Sequence, residues 1–518
     1  MTDTDFKPLF FFSNRKYFFD KVSLQIKCGD LYCVGFKIKT TSSGEIMIKD
    51  MTSGNPVKLI VLFAVPLLIG NIFQQLYNIS DIIIVGRLIG VEALAAAGAS
   101  APIYFTIMLV ALGFTAGLCV ITAQKFGAKD EVGVRRSVTH SIMASLVLSL
   151  GITLLMEFCL HKFLKIMNVP AEIMNDAYKF MYTLCLGLVM IIGYNLLAGF
   201  IRALGDSKTP LYFLIFSSVL NILLNLLLIY GLNMGIVGSA LGTVISMTIS
   251  VIACVFYIGK KFPILRLKKE DWKYDSRLMK QHLKVAIPMS LQFSVIAVGL
   301  LIIQSVCNSF GASTIAAFTS ALRIEQLATQ PMVALGLALA TYSAQNFGAG
   351  RIGRIRRGVL GSSLISLSIS VFLALLVRFV GENMIGVFIK DGNPEIIQTA
   401  KDYLNITTLF YFFLGQIFIF RNTLQGMGQT GIPMLACTAE LVMRSFAAIY
   451  LAQHMGYLGI CYASPIAWIG AALIVAAGYF VTIRKMRGHY FKNKIKWIEH
   501  KLGLNKDNGI LPEGTPAE

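Results

Sequence analysis

The sequence predicts an all-α integral membrane protein with about 12 transmembrane helices in two pseudo-symmetric six-helix lobes. Of its 518 residues, 56% are hydrophobic and 14% are charged, and the mean hydropathy is +0.69. A soluble domain averages about 25% charged residues, so this composition excludes a soluble enzyme. A helix needs about 20 apolar residues to cross the hydrocarbon core. Suitable apolar runs lie at 57–88, 93–124, 138–160, 178–201, 210–231, 236–259, 283–310, 315–346, 359–381, 401–424, 431–453 and 458–484.

The second observation is an internal repeat. Four short motifs recur at a nearly constant spacing, in the pairs 64–66 and 286–288, 123–128 and 344–349, 204–205 and 427–428, and 235–238 and 456–459. A constant spacing over this distance indicates two related lobes. Duplicated membrane bundles are typical of transporters that move two halves around a central site. The repeat therefore indicates a mechanism as well as a fold.

The repeat sets the expected domain organisation. We expect an N-lobe with helices 1–6 at residues 51–275, a C-lobe with helices 7–12 at 276–488, and a cytoplasmic tail at 489–518. Residues 1–50 form an extension that differs from the rest and shows no helical period or signal-peptide pattern.

The start of the chain has two interpretations. In the first, translation begins at Met47 or Met51, and residues 1–46 are an upstream segment that is not biological. In the second, the extension is a disordered or surface-lying arm.

Charge gives the predicted topology. The formal net charge is +19, and the basic residues collect in alternate connections, such as 125–136, 260–280, 351–357 and 484–487. This is the positive-inside pattern. It predicts a multi-pass protein of the plasma or inner membrane with both termini in the cytoplasm. It explains the charge by topology and contact with membrane lipid, with no role for nucleic acid.

The first apolar run contains a carboxylate, Asp81. Placing a carboxylate at membrane depth costs about 2.5–3.5 kcal/mol on insertion scales, and such residues normally serve ion or proton pathways. Gln74, Tyr77 and Asp81 are spaced i, i+3 and i+7, so they share one helix face. Pro66 on the same helix removes a backbone hydrogen bond and creates a bend point. The alternatives are a surface position for Asp81, neutralised by Arg87, and a static kink at the proline.

Other polar residues lie in the fifth and sixth runs. Asn221 and Asn225 are spaced i, i+4 on one face, and Thr243 follows in the next run. Amides in lipid often only join helices, and a single threonine is usually structural, so these residues indicate a site only together with Asp81.

The second lobe differs from the first. The counterpart of Asp81 is Ile303, with Gln304 beside it. Glu440 and Arg444 are spaced i, i+4 and are expected to pair. Glu325 is expected at the surface, with a position that lines the cavity as the alternative. His140, His161 and His282 lie near the ends of the predicted spans and are expected at the membrane interface. The sequence has no cluster with metal-ligand spacing, no phosphate loop and no nucleophile elbow. We therefore expect neither an enzyme nor ATP-driven pumping, and no cofactor.

Taken in order, these motifs resemble the multidrug and toxic compound extrusion (MATE) family of bacterial type. The resemblance covers about residues 51–487. Its elements are the Pro66…Asp81 helix with Gly86-Arg87, the 124–128 motif, Arg202–Asp206, Asn221 with Asn225, and the 345–349 motif.

The resemblance implies an antiporter that exports organic, often cationic, compounds in exchange for protons or sodium. It places the family's cation site on Asp81, Asn221, Asn225 and Thr243, with Gln74 and Tyr77 nearby and a bend at Pro66. A sodium ion at Asp81 is the only metal expected. Some members carry acidic residues in the seventh and tenth spans. Here those spans offer only neutral polar groups, at Ser290, Gln292, Ser294, Gln304, Asn405 and Gln416, which favours coupling through the first lobe. We expect a monomer whose partners are small organic substrates and membrane lipid.

Two other functions remain open from the sequence. A flippase for lipid-linked oligosaccharides or another amphiphile would have a related transporter fold, usually with extra spans and a basic cavity. A membrane enzyme would need a clustered polar site at one membrane face, and the sequence shows none.

Overall fold

The computed structural model describes the backbone of residues 50–386 and 394–501, and the side chains of these residues except Ala297, Leu300 and 489–501. Most of the predicted N-terminal extension, including Met47, and residues 502–518 of the predicted tail lie outside the described residues.

All the long elements in the described ranges are α-helices. In chain order they are α1 Pro56–Leu88, α2 Val91–Gly127, α3 Glu131–Ile166, α4 Ala171–Leu186, α5 Leu188–Ala203, α6 Lys208–Asn225, α7 Gly235–Lys261, α8 Ser276–Asn308, α9 Ala312–Ala328, α10 Gln330–Gly348, α11 Ile352–Gly386, α12 Pro394–Leu409, α13 Tyr411–Gly426, α14 Gly431–Met455 and α15 Tyr457–Lys501.

The helix lengths fit a membrane bundle. Within the described residues, nine helices are long and apolar enough to cross a membrane, and two bent pairs raise the number to 11. The predicted eighth span is divided into α9 and α10 at Thr329. The all-α membrane architecture predicted from composition is therefore confirmed.

The two bent pairs occupy equivalent places in the repeat. α4 and α5 meet at Gly187 with a bend of 48°, and α12 and α13 meet at Phe410 with a bend of 51°. Positions 187 and 410 have the same spacing as the motif pair 204–205 and 427–428. The two repeats therefore share their helix geometry as well as their motifs. They even share a helix break at a position where neither repeat has one of the four motifs.

Small residues let the halves approach closely. A Cβ atom at Gly113 would lie 2.7 Å from the Met289 carbonyl oxygen, and one at Gly117 would lie 2.5 Å from the Ala286 Cα atom. Real Cβ atoms do not approach so closely, so α2 and α8 can pack this tightly only because these positions are glycines.

Apolar side chains form a core within each repeat and a third core at the basic end of the bundle. The first-repeat core includes Val85 and Met181, and the second-repeat core includes Ile303 and Tyr403. The third joins the first half of α1 to the middle of α10, the second half of α13 and the middle of α15. The described cysteines are free, and most are buried among these apolar residues, as expected for small core residues.

Two of the three histidines expected at the interface are instead buried. His140 and His282 are fully buried. The Asp275 backbone amide donates a hydrogen bond to the Nε2 atom of His140 at 2.9 Å. The Nε2 atom of His282 lies 2.9 Å from the Ser137 hydroxyl. The expectation failed for these two because the segment that joins the repeats folds back over α3, and apolar periodicity cannot show this.

Candidate functional site: a polar cluster in the first repeat

The centre of the candidate site is the contact between Asp81 on α1 and Asn225 on α6. The Asn225 Nδ2 atom donates to the Asp81 Oδ1 atom at 2.7 Å. The residues are 144 positions apart in sequence, so only the packing of α1 against α6 brings them together. Asn225 is 0% exposed. The sequence allowed two roles for this amide, one beside the carboxylate and one in a hydrogen bond that only joins two helices. The amide lies beside the carboxylate.

A chain of hydrogen bonds extends from this contact to α7. Asn225 also donates to the Asn221 Oδ1 atom at 3.1 Å. Asn221 donates to the Thr243 hydroxyl at 3.1 Å, and Thr243 donates to the Ser239 carbonyl at 3.3 Å. The four residues that the family resemblance placed in one site therefore form one connected cluster.

Local backbone features hold Asn225 in place. The regular α-helix ends at Asn225, and residues Leu226–Gly231 continue as a π-helix. Such widened turns often occur at functional sites. Opposite them on α7, Gly242 has no side chain, and a Cβ atom there would collide with the Asn225 Oδ1 atom. The glycine thus leaves the space that the amide needs to reach Asp81.

Tyr77 belongs to the cluster. Its hydroxyl group faces Thr243, and its ring lies close enough to Asp81 for the carboxylate charge to act on it. The i, i+4 spacing of Tyr77 and Asp81 on α1 explains why both point towards α6 and α7.

Gln74 and Pro66 are not direct members of the cluster. The Gln74 amide donates to the Asn78 Oδ1 atom on the same helix at 3.4 Å. Pro66 is buried, and α1 continues as one helix through it. It lies four turns before Asp81, about 22 Å along the axis. Any effect of Pro66 on the site must therefore pass along the helix.

Sequence reasoning missed two residues. Tyr104 on α2 lies within the field of the Asp81 carboxylate. Ser239 is buried one turn before Thr243, and its hydroxyl group has no hydrogen-bond partner. The i, i+4 spacing of Ser239 and Thr243 was a signal for the serine, whereas no sequence pattern connected Tyr104 to Asp81.

The cluster can hold a small cation. It combines one carboxylate with amide and hydroxyl oxygens, the ligands that hard cations prefer. The Asn225 Oδ1 atom is buried and accepts no hydrogen bond in this structure. A buried oxygen normally has a partner, so this atom is available to a cation beside Asp81. The described residues contain no group of three or more His, Cys, Asp or Glu side chains that could hold a metal ion.

The equivalent position of the second repeat is apolar. Ile303 is 3% exposed and packs in the second-repeat core. The expected ion pair between Glu440 and Arg444 is present and buried. The expected surface position of Glu325 is wrong, because its Oε2 atom is enclosed by the neighbouring helices.

Comparisons with known proteins agree with the repeat and the fold. The MatE family model matches twice, at residues 66–227 and 288–449. The chain is 32% identical over 383 residues to the probable multidrug resistance protein YpnP of Bacillus subtilis, an alignment that covers 73% of this chain and 84% of that protein.

Solved structures share the architecture. A crystal structure of MATE in the bent conformation matches with a TM-score of 0.81 and 24% identity, over 86% of this chain and 99% of that one. An outward-facing multidrug resistance MATE family transporter matches with a TM-score of 0.79 and 24% identity, over 86% and 99%. The assignment to a family rests on the two matches of the family model and on the similarity to YpnP. The solved structures show that the fold is shared. The chain belongs to the MatE family of multidrug and toxic compound extrusion transporters.

Proposed function

We propose that this protein is a secondary antiporter that exports organic, often cationic, compounds in exchange for protons or sodium ions. The observation that carries the proposal is the Asp81 carboxylate, held at membrane depth by Asn225 within a cluster of buried oxygen atoms. A charged group at this depth is costly, and binding a cation removes that cost. Asp81, Asn221, Asn225 and Thr243 are proposed to bind the exchanged ion.

Whether the exchanged ion is a proton or sodium depends on which oxygen atoms bind it together with the Asp81 carboxylate. The proton needs only the carboxylate. Sodium would need neutral oxygens as well, and the free Asn225 Oδ1 atom and the Thr243 hydroxyl can supply them. The flippase alternative gains no support from the site, because the described cluster contains no basic side chain that would recognise a phosphate.

We further propose that both termini lie in the cytoplasm and that the protein works as a monomer in the cell membrane. The first half of α1 and the middle of α15 meet in the core at the basic end of the bundle. The basic segment 351–357 begins at the same end, where Arg351 donates to the Thr52 carbonyl. Positive charge favours the cytoplasmic side.

The test is transport by purified protein in vesicles loaded with a fluorescent organic cation. A pH gradient and a sodium gradient are imposed separately, and a lipid-linked oligosaccharide analogue is tested in parallel. Efflux driven by either gradient supports the antiporter and identifies the ion. Movement of the oligosaccharide analogue without gradient-driven cation efflux would establish the flippase instead.

A further inference from the structure

Glu325 is a buried carboxylate outside the first-repeat cluster. It lies on α9, between Ala312 and Ala328. Its Oε2 atom is inaccessible to solvent and has no hydrogen-bond partner. A buried unpartnered carboxylate oxygen is costly, so its presence requires an explanation that a surface role cannot give.

Polar side chains of three other helices, α12, α13 and α14, lie near the Glu325 carboxyl group. The hydroxyl group of Tyr403 on α12 is placed to donate to the carboxyl group. Tyr411 on α13 is close enough to be affected by its charge, and the Tyr411 side chain is fully buried. Arg444 on α14 lies within electrostatic range.

The charges in this cluster do not balance. Arg444 is already paired with Glu440 on its own helix. With Glu325 and Glu440 ionised and Arg444 protonated, one negative charge is uncompensated. α8 has no Asp, Glu, Lys or Arg between Lys284 and Asn308 that could balance it. Arg323 on α9 and Arg378 on α11 are exposed. The remaining charge can be removed by one bound cation.

The oxygen atoms around Glu325 favour a proton over a metal ion. Besides the carboxyl group, the cluster offers two phenolic hydroxyls, and its walls belong to the apolar second-repeat core. A hard metal ion takes several oxygen ligands, typically six or more for calcium. A proton needs only Glu325.

The repeat relates Glu325 to the first-repeat site. Gln124 near the end of α2 corresponds to Gln345 in the second repeat, and the same spacing makes Glu325 the counterpart of Tyr104. Tyr104 lies in the field of Asp81. Each repeat thus has a carboxylate beside tyrosines at this depth, but the carboxylate is on the first helix of one repeat and on the second helix of the other.

We propose that Glu325 is a second proton-binding carboxyl group of this transporter, located in the second repeat and loaded and unloaded during the transport cycle. Its role in transport rests on the antiport proposed above, whereas its binding of a proton does not.

Infrared spectroscopy of reconstituted protein tests the proton directly. The carbonyl band of a protonated carboxyl group is followed as the pH is changed, in the parent and in Glu325→Gln. We expect the variant to lose one component of the band. The matched control is Glu382→Gln, because Glu382 is an exposed carboxylate paired with Lys401 and should contribute no such component. An unchanged band in Glu325→Gln at every pH would overturn the proposal.

A second variant guards against loss of folding. Tyr403→Phe keeps the shape and the carboxyl group but removes the hydroxyl donor. We expect it to shift the frequency and the titration of the same component. If neither the frequency nor the titration moves, the band does not arise at Glu325 and the proposal is wrong.

The role in transport has its own measurement, the steady substrate ratio across vesicles at a fixed pH difference and zero membrane potential. Losing one coupled proton should lower this ratio about tenfold per pH unit. An unchanged ratio in Glu325→Gln excludes coupling through Glu325. If the parent responds only to sodium, the proton form of the antiport fails, and the infrared band still decides whether Glu325 binds a proton.

A separate cavity supports a second inference, about lipid. A cleft of about 950 Å³ opens between α11 and α15 at the basic end of the bundle. Arg356, Arg357, Arg484 and Arg487 line it, together with apolar side chains that include Leu360 and Phe480. Among the described side chains, no carboxylate lies within ion-pair distance of these four guanidinium groups.

We infer that this cleft binds the headgroup of an anionic phospholipid, with the acyl chains along the exposed faces of α11 and α15. Leu360 is 65% and Phe480 is 63% exposed, and both lie on these faces. Guanidinium groups bind phosphate well, and basic pockets between helices on the cytoplasmic side bind anionic headgroups. The combination of a cationic opening and an apolar wall fits a lipid better than a free anion.

Native mass spectrometry tests this inference. Delipidated protein is mixed with phosphatidylglycerol or phosphatidylcholine, and the bound lipid is counted. We expect a preference for phosphatidylglycerol that falls about thirtyfold in Arg356→Ala/Arg487→Ala but persists in Arg378→Ala, an exposed arginine outside the cleft. Equal binding of both lipids, no effect of the double variant, or full competition by inorganic phosphate would each contradict a lipid site.

Discussion

Gln124 and Gln345 hold the two repeats together by the same contact made in opposite directions. The Gln124 Nε2 atom donates to the Gly426 carbonyl in the second repeat at 2.8 Å, and the Gln345 Nε2 atom donates to the Ala203 carbonyl in the first repeat at 2.8 Å. The two glutamines are counterparts in the repeat, and so are the positions of the two carbonyl groups. The repeated motif therefore closes the basic end of the bundle.

Gln345→Ala should destabilise the protein more than any exposed glutamine substitution. It removes the donor to Ala203 and also the acceptor of the Met51 amide, which donates to the Gln345 Oε1 atom at 3.0 Å. Each buried polar group left without a partner costs about 1–3 kcal/mol. The measurement is thermal unfolding in detergent. Gln326→Ala, at an exposed position on α9, is the control. Equal midpoints of thermal unfolding for the two variants would contradict a stabilising role of the Gln345 contacts.

Asp81→Asn should abolish efflux driven by the ion gradient and leave the protein folded. The asparagine keeps an oxygen that can accept from Asn225 but cannot carry the charge that a cation would neutralise. The measurement is gradient-driven efflux from vesicles, with unfolding as the check on folding. Glu172→Gln, an exposed carboxylate at the beginning of α4, should retain transport. Efflux at the parent rate in Asp81→Asn would exclude Asp81 as the ion-binding residue.

Gly242→Ala should weaken ion coupling without changing any polar group. The new methyl group would collide with the Asn225 Oδ1 atom and lie 3.2 Å from its Cγ atom, so the amide must leave its position beside Asp81. We expect a weaker dependence of substrate binding on pH or sodium. Gly259→Ala on the same helix is the control, since a Cβ atom there meets nothing within 4 Å. The same loss in both variants would show a general effect on α7 and not a local effect on Asn225.

Pro66→Ala should weaken the dependence of substrate binding on the ion more than it weakens substrate binding itself. The proline removes one backbone hydrogen bond from α1, which makes it the place where the helix bends most easily. Ion and substrate would then act on one two-state helix, and their effects on each other must be reciprocal. Moving such a helix from 1:99 to 99:1 takes about 5.5 kcal/mol. Substrate affinity is measured by titration across pH and sodium concentration, and an unchanged ion dependence would rule out the bending mechanism.

The sequence by itself determined the membrane class, the duplication and the main candidate residue. Apolar length and low charge follow directly from the solvent that the helices must cross. Asp81 could be identified alone because a carboxylate in such a run is costly wherever its neighbours lie. The i, i+4 spacing of Asn221 and Asn225 placed both on one face of α6, since helix geometry is local.

Only the tertiary structure decided which polar groups meet. Asp81 and Asn225 are 144 positions apart, and helix periodicity gives no information about which helices are neighbours. For the same reason Tyr104 and Ser239 were missed, and His140, His282 and Glu325 were placed at a surface or interface although they are enclosed. A helix pattern separates faces, but whether a polar face meets lipid, water or another helix depends on packing between distant segments of the chain.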